Sequence, residues 1–139
     1  APPGGNRVPQ SDPRIENAKV GAWVWPVKGR LAGAFGKRGG KGINIEGSRG
    51  QRISAAHSGR VVYAGGGLIG YGELIIVKHN KRFLSAYAHN SVIFVKEGDL
   101  VNRGQRIAEM GSSGTDKVML HFEIRRDGKP VNPLKYLPR

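Results

Sequence analysis

The sequence has no cysteine, so disulfides and thiolate metal ligands are excluded and the usual indicator of redox compartment is missing. No apolar run approaches the roughly 20 residues of a membrane-spanning helix. The opening residues, APPGGNRVPQSDPR, lack the apolar core of a secretory signal, so an exported form would already have lost its targeting segment. The chain as it stands is expected to be soluble. Acidic residues are scarce: 10 Asp and Glu face 23 Lys and Arg, a formal net charge of +13. That field favours an anionic partner, whether nucleic acid, an anionic envelope polymer or an acidic protein surface. Aromatic residues make up only 7%, and no RNA- or DNA-binding motif interleaves with basic groups such as Lys37, Arg38, Lys41, Lys78, Lys81, Arg82, Arg125 and Arg126. Nucleic acid is therefore the least favoured of the three.

Helical periodicity is also missing. No apolar stripe persists through three turns, and 22 glycines disfavour long helices. What is present is a series of short apolar runs punctuated by glycine, which predicts strands near 24–27, 43–46, 52–55, 59–64, 73–79, 82–88, 91–95, 105–109 and 119–125. The fold is expected to be mainly β in one domain over residues 20–139, preceded by a flexible linker over 1–19 that is rich in Pro, Gly, Asn and Ser. The clearest hairpin places Leu74–Lys78 and Phe83–Tyr87 either side of a turn at 79–82. His79 then sits at the turn and His89 beyond the far end, too distant to share a metal.

Several motif-like strings fail on context. GGGLIG (65–70) fits G-x-G-x-x-G, but the strand-like YGELIIVKH follows it where a phosphate-binding helix is needed. HFE (121–123) lacks the cysteines of a zinc deaminase. Ser112 and Ser113 in GSSGT read as loop residues, since no nucleophile elbow surrounds them. Glu73, Glu97, Asp99 and Glu123 show no pairing in the sequence and read as surface or ion-pair residues. In KVMLHFEIR (117–125), strand alternation puts Met119, His121 and Glu123 on one face and Leu120, Phe122 and Ile124 on the other.

RISAAHSGRVVYAG (52–65) and VKEGDLVNRGQRIAEMG (95–111) share the cadence of a duplicated hybrid motif, as in barrel-sandwich hybrid folds with antiparallel sheets. Biotin and lipoyl carriers use that architecture, but no carrier lysine turn is present. WPVKGRLAGAFGKRGGKGINI (25–45), GYGELIIVKH (70–79), LSAYAHN (84–90) and MLHFEIRRDGKPVNPLKYL (119–137) add a more specific likeness. Together these segments resemble the LytM, or lysostaphin-type, zinc endopeptidase domain over residues 23–138, and more closely its NlpD-type murein hydrolase activator branch.

The resemblance implies a zinc site in which a His-x-x-x-Asp pair falls on Gly40 and Asn44 and the third ligand falls on His121. It places one assisting histidine at Met119 and another at His89. A catalytic zinc needs three protein ligands from His, Cys, Asp or Glu. Gly40 has no side chain, Asn44 is a neutral amide, and the ammonium of Lys41 has no lone pair. His57 and His79 are not expected to rebuild the set. No catalytic residue, metal ligand or cofactor is therefore assigned. Gly40, Lys41, Asn44, Tyr71, His89, Met119 and His121 are expected to line a metal-free groove for a protein partner. The resemblance implies that this partner is an N-acetylmuramoyl-L-alanine amidase, activated in the periplasm for septal murein cleavage, with peptidoglycan as a further candidate ligand. An upstream lipid anchor, absent from this chain, would tie the full-length protein to the outer membrane. A zinc endopeptidase with an unusual ligand set and a passive murein-binding module are the competing readings.

Overall fold

A computed structural model describes residues 12–139. Ten strands form one antiparallel sheet system: β1 (Leu31–Gly33), β2 (Ile43–Glu46), β3 (Arg52–Ser54), β4 (Gly59–Gly65), β5 (Glu73–Lys78), β6 (Phe83–Ile93), β7 (Leu100–Val101), β8 (Arg106–Met110), β9 (Met119–Arg126) and β10 (Lys129–Val131). The main path runs β1-β2-β9-β6-β5-β4-β7, with β10 paired to β9 and β8 joining β6 to β3. The mainly β expectation holds.

β6 is one strand where the sequence suggests two. Its first half pairs with β5 and β9, and from Asn90 onward it pairs with β8. The break in the apolar pattern falls at His89, whose φ of 70° bends the strand without ending it. The strand expected at 24–27 does not form. Pro26 has no amide hydrogen to give a ladder, and the segment is held by isolated bonds, Val24 N–H to Ala56 O and Ser54 N–H to Pro26 O. Strands β1, β7 and β10 lie outside the segments expected from the sequence.

The linker expected over 1–19 differs in its second half; residues 1–11 lie outside the described residues. Pro13–Glu16 form a single helical turn capped by Asp12, which accepts from the Arg14 amide at 2.9 Å. Asp12 pairs with Arg60, Glu16 pairs with Lys78, and the Asn80 side chain donates to Ala18 O. Polar contacts of this kind leave no hydrophobic period in a sequence, so composition alone read the segment as loose.

Alternation along the central strands builds the core. Ile43, Ile45, Ile75, Val77, Tyr87, Leu120, Phe122 and Ile124 face inward with Ile53, Val61, Ile107 and Met110. Each such side chain, fully buried, contributes about 1.5–3 kcal/mol. The core also holds an ordered polar chain. The Ala56 amide donates to the Tyr87 hydroxyl (2.9 Å), which bonds Ser85 Oγ (2.7 Å), which bonds His79 Nε2 (2.7 Å). His79 Nδ1 faces the Ser58 carbonyl at 2.8 Å and must donate to it, so every hydroxyl proton in the chain points toward His79. Burial lowers the His79 pKa to about 4 and raises that of Tyr87 to about 12.

Candidate functional site

The opposite face of the same strands carries a groove of about 420 Å³. β9 supplies Met119, His121 and Glu123, β2 supplies Asn44, and the bend of β6 supplies His89. The 34–42 loop adds Arg38, Gly39, Gly40 and Lys41, and the 66–72 loop adds Ile69, Gly70 and Tyr71. All the residues singled out from the sequence, Gly40, Lys41, Asn44, Tyr71, His89, Met119 and His121, come together here.

Glu123, expected from the sequence as a surface or ion-pair residue, is ion-paired but buried, and it organises the groove. Glu123 is 1% exposed. One carboxylate oxygen takes His121 Nε2 (2.9 Å) and the Tyr71 hydroxyl (3.0 Å), and the other takes Arg125 Nε (2.9 Å) and its terminal nitrogen (2.8 Å). Burial pushes the Glu123 pKa up, but hydrogen bonds from His121 and Arg125 outweigh it and hold the carboxyl below its ordinary value. Burial, reinforced by the Glu123 charge, raises the Tyr71 pKa. The signal for Glu123 was present in the sequence: it lies two residues past His121, hence on the same strand face.

His121 occupies the expected third-ligand position, yet both its nitrogens are engaged. Nδ1 bonds Asn44 Oδ1 at 2.7 Å, and the Asn44 amide nitrogen is turned away to the Arg38 carbonyl at 3.3 Å. With Nε2 on Glu123, neither nitrogen directs a lone pair into the groove. Gly40 has a left-handed φ of 57° and open space where a side chain would project. At the three ligand positions that the resemblance implies, the donors do not fit zinc: one histidine already hydrogen-bonded twice, an amide and a glycine. Among the described residues, no group of three or more His, Cys, Asp or Glu is placed to hold a metal.

His89 is the other retained polar group. Its Nδ1 faces the Ser113 carbonyl at 2.7 Å and donates to it, which leaves Nε2 as an acceptor on the groove side, its ring centroid 6.2 Å from that of His121. Burial lowers its pKa, so the neutral ring is favoured. Its unusual backbone is held by its own amide, bonded to Tyr71 O at 2.9 Å. Gly72 permits this close fit: a side chain there would meet the Ser113 carbonyl at 2.1 Å.

An apolar recess of about 260 Å³ extends the groove along the sheet, walled by Leu68, Leu74, Ile76, Leu84 and Ala86 and sharing Tyr71 and Glu123. Ile69, at the loop tip between the two, is 99% exposed. Arg38 and Lys41 form no ion pair among the described residues. The arrangement suits recognition: an apolar recess, a neutral acceptor at His89 and uncompensated cations at the rim. His57 and His79 meet elsewhere, ring centroids 5.7 Å apart against Trp23, a pairing that sequence reasoning missed. His57 Nε2 accepts from the Gly21 amide and both His79 nitrogens are bonded, so this pair is packed structure.

Sheet, groove and histidine positions match the LytM-type domain that the sequence motifs resemble. The chain belongs to peptidase family M23, whose family model matches residues 38–133. It is 58% identical over 129 residues to the lipoprotein NlpD/LppB homolog of Pseudomonas aeruginosa, covering 91% of this chain and 43% of that protein. It is 56% identical over 122 residues to the murein hydrolase activator NlpD of Escherichia coli, covering 86% of this chain and 32% of that protein. The chain thus spans less than half the length of these relatives. Among solved structures, a zinc-containing peptidase from Vibrio cholerae matches with a TM-score of 0.72 at 25% identity, covering 79% of this chain and 38% of that one. The lysostaphin catalytic domain of Staphylococcus simulans matches with a TM-score of 0.66 at 25% identity, covering 81% and 88%. The likeness to the NlpD-type branch, read from the motifs, holds.

Proposed function

We propose that this domain is a non-catalytic activator of a periplasmic N-acetylmuramoyl-L-alanine amidase, which it binds through the metal-free groove to promote septal murein cleavage in cell separation. The observation that carries this reading is the state of the former ligand positions: Gly40 empty-handed, Asn44 and Glu123 occupying both nitrogens of His121. Without a bound metal, water keeps its ordinary pKa near ~15.7 and no hydroxide nucleophile forms at neutral pH. The groove itself persists, with an apolar recess and a basic rim. Relatives bearing the name murein hydrolase activator support the reading, and names of the lipoprotein type support an envelope location, with the outer membrane reached through an upstream anchor.

Activation needs only differential affinity. If the groove binds the open amidase more tightly than the autoinhibited one, the population shifts by that ratio, about tenfold for each 1.4 kcal/mol. In the test, the purified domain is added to a purified amidase with dye-labelled sacculi. Stimulated release is expected, and a folded domain that stimulates no amidase of its organism would remove the reading.

A second reading, a zinc endopeptidase with an unusual ligand set, draws on the retained His89 and His121. It requires Asn44 and Glu123 to release His121 on metal binding. Stoichiometric zinc with chelator-sensitive cleavage of murein crosslinks would favour it.

A further inference from the structure

A second cleft, sharing no residue with the groove, lies beside Trp25 and has a volume of about 380 Å³. We propose that it binds murein glycan whose muramic acid carries a free lactyl carboxylate, the form left when an amidase removes the stem peptide. The choice of ligand rests on the activator reading; the cleft itself does not.

The cleft is built and held rigid. Trp25 donates its one indole N–H to the Pro138 carbonyl at 2.7 Å, so the exposed part of the ring is an apolar face in fixed orientation. Gln51 spends both ends of its amide on the backbone, accepting from Ser48 N–H at 3.0 Å and donating to Lys28 O at 2.6 Å. Arg52 is clamped by two neutral acceptors, Ser54 Oγ at 3.1 Å and Gly104 O at 2.8 Å. Neither Arg52 nor Lys28 forms an ion pair among the described residues, and the cleft lining contains no acid. A fixed aromatic face beside a pre-oriented guanidinium and an ammonium matches a ring with one apolar side and a carboxylate within a ring's reach. For Trp25, Gln51 and Arg52, little side-chain freedom remains to be lost on binding.

The chemistry selects among sugars. In peptide-bearing murein the lactyl group is an amide and carries no charge. Hydrolysis of that amide takes up one water and leaves a carboxylate on the sugar. A nucleic acid would also offer a stacking face and an anion, but tracking a strand takes successive aromatic platforms, and the cleft has one.

The test titrates the folded domain by calorimetry with peptide-free glycan strands of alternating N-acetylglucosamine and N-acetylmuramic acid. Trp25→Ala and Arg52→Gln are each expected to weaken binding by about tenfold or more, Trp25→Phe to retain most of it, and Lys96→Gln, an exposed charge outside the cleft, to leave it unchanged. If Trp25→Ala fails to fold, Arg52→Gln carries the comparison. Uncharged N-acetylglucosamine oligomers and peptide-bearing strands should bind at least about tenfold more weakly. Equal binding of either, or of single-stranded poly-adenylate through the same residues, overturns the proposal. So does wild-type protein that binds no peptide-free glycan while still stimulating an amidase, a result that leaves the activator reading intact. Glycan binding without amidase stimulation overturns the activator reading and keeps the cleft.

Discussion

Acidification should unload the core through His79. The ring is 2% exposed, donates to the Ser58 carbonyl and accepts from Ser85, so its neutral form is built into the fold. Its pKa is depressed to about 4 by burial, against about 6.5 in an unfolded chain. Between those values the unfolded state binds the extra proton, so stability is fully present above about pH 6.5 and falls as pH drops toward 4. Linkage gives a loss of about 2 kcal/mol by pH 5 and about 3 kcal/mol by pH 4. The assay is urea unfolding at pH 7, 5 and 4 on wild type and on His79→Gln. The variant starts from lower stability because it loses the bond to Ser58. Its decline with acid should nonetheless be shallower by those amounts, the difference removing contributions from other groups. Parallel curves for the two proteins would refute the reasoning.

Three further outcomes follow from the groove. Glu123→Gln leaves Arg125 without its buried counter-charge and should cost about 2–3 kcal/mol by urea unfolding, with amidase stimulation falling in step. Gly72→Ala drives a methyl into the Ser113 carbonyl at a φ of 61° and should destabilise the loop that seats His89, seen as faster amide exchange around 71–73 and 112–114 and as weaker stimulation. Gly40→His with Asn44→Asp restores two ligand types beside His121. Open space at Gly40 accommodates the ring at a backbone cost of about 1–2 kcal/mol. Dialysed double variant should retain about one zinc per chain by atomic absorption, and wild type substantially less.

The strands that could be read from the sequence are those with both a polar and an apolar face, because alternation survives in one dimension. β9 is the clearest case: Leu120, Phe122 and Ile124 in the core, Met119, His121 and Glu123 in the groove. β1, β7 and β10, two or three residues each, could not be read, because their pairing is fixed by neighbours rather than by an apolar alternation of their own. The 12–19 segment was misread because ion pairs to Arg60 and Lys78 hold it. In the groove, the family pattern located residue positions, but not how Asn44 and Glu123 divide the two nitrogens of His121. That sharing depends on side-chain orientation across two strands, which no spacing encodes. The His57–His79–Trp23 cluster was missed for the same reason.

The groove is expected to work without chemistry of its own. The most direct test is murein release from purified sacculi by the domain alone, by amidase alone and by both together, each with and without a zinc chelator acting on the domain before mixing. Expected are no release by the domain alone, a low rate by the amidase, and a severalfold higher rate by the pair, unchanged by prior chelation of the domain. Release by the domain alone, abolished by the chelator, or a folded domain that leaves the amidase rate unchanged, would contradict that expectation.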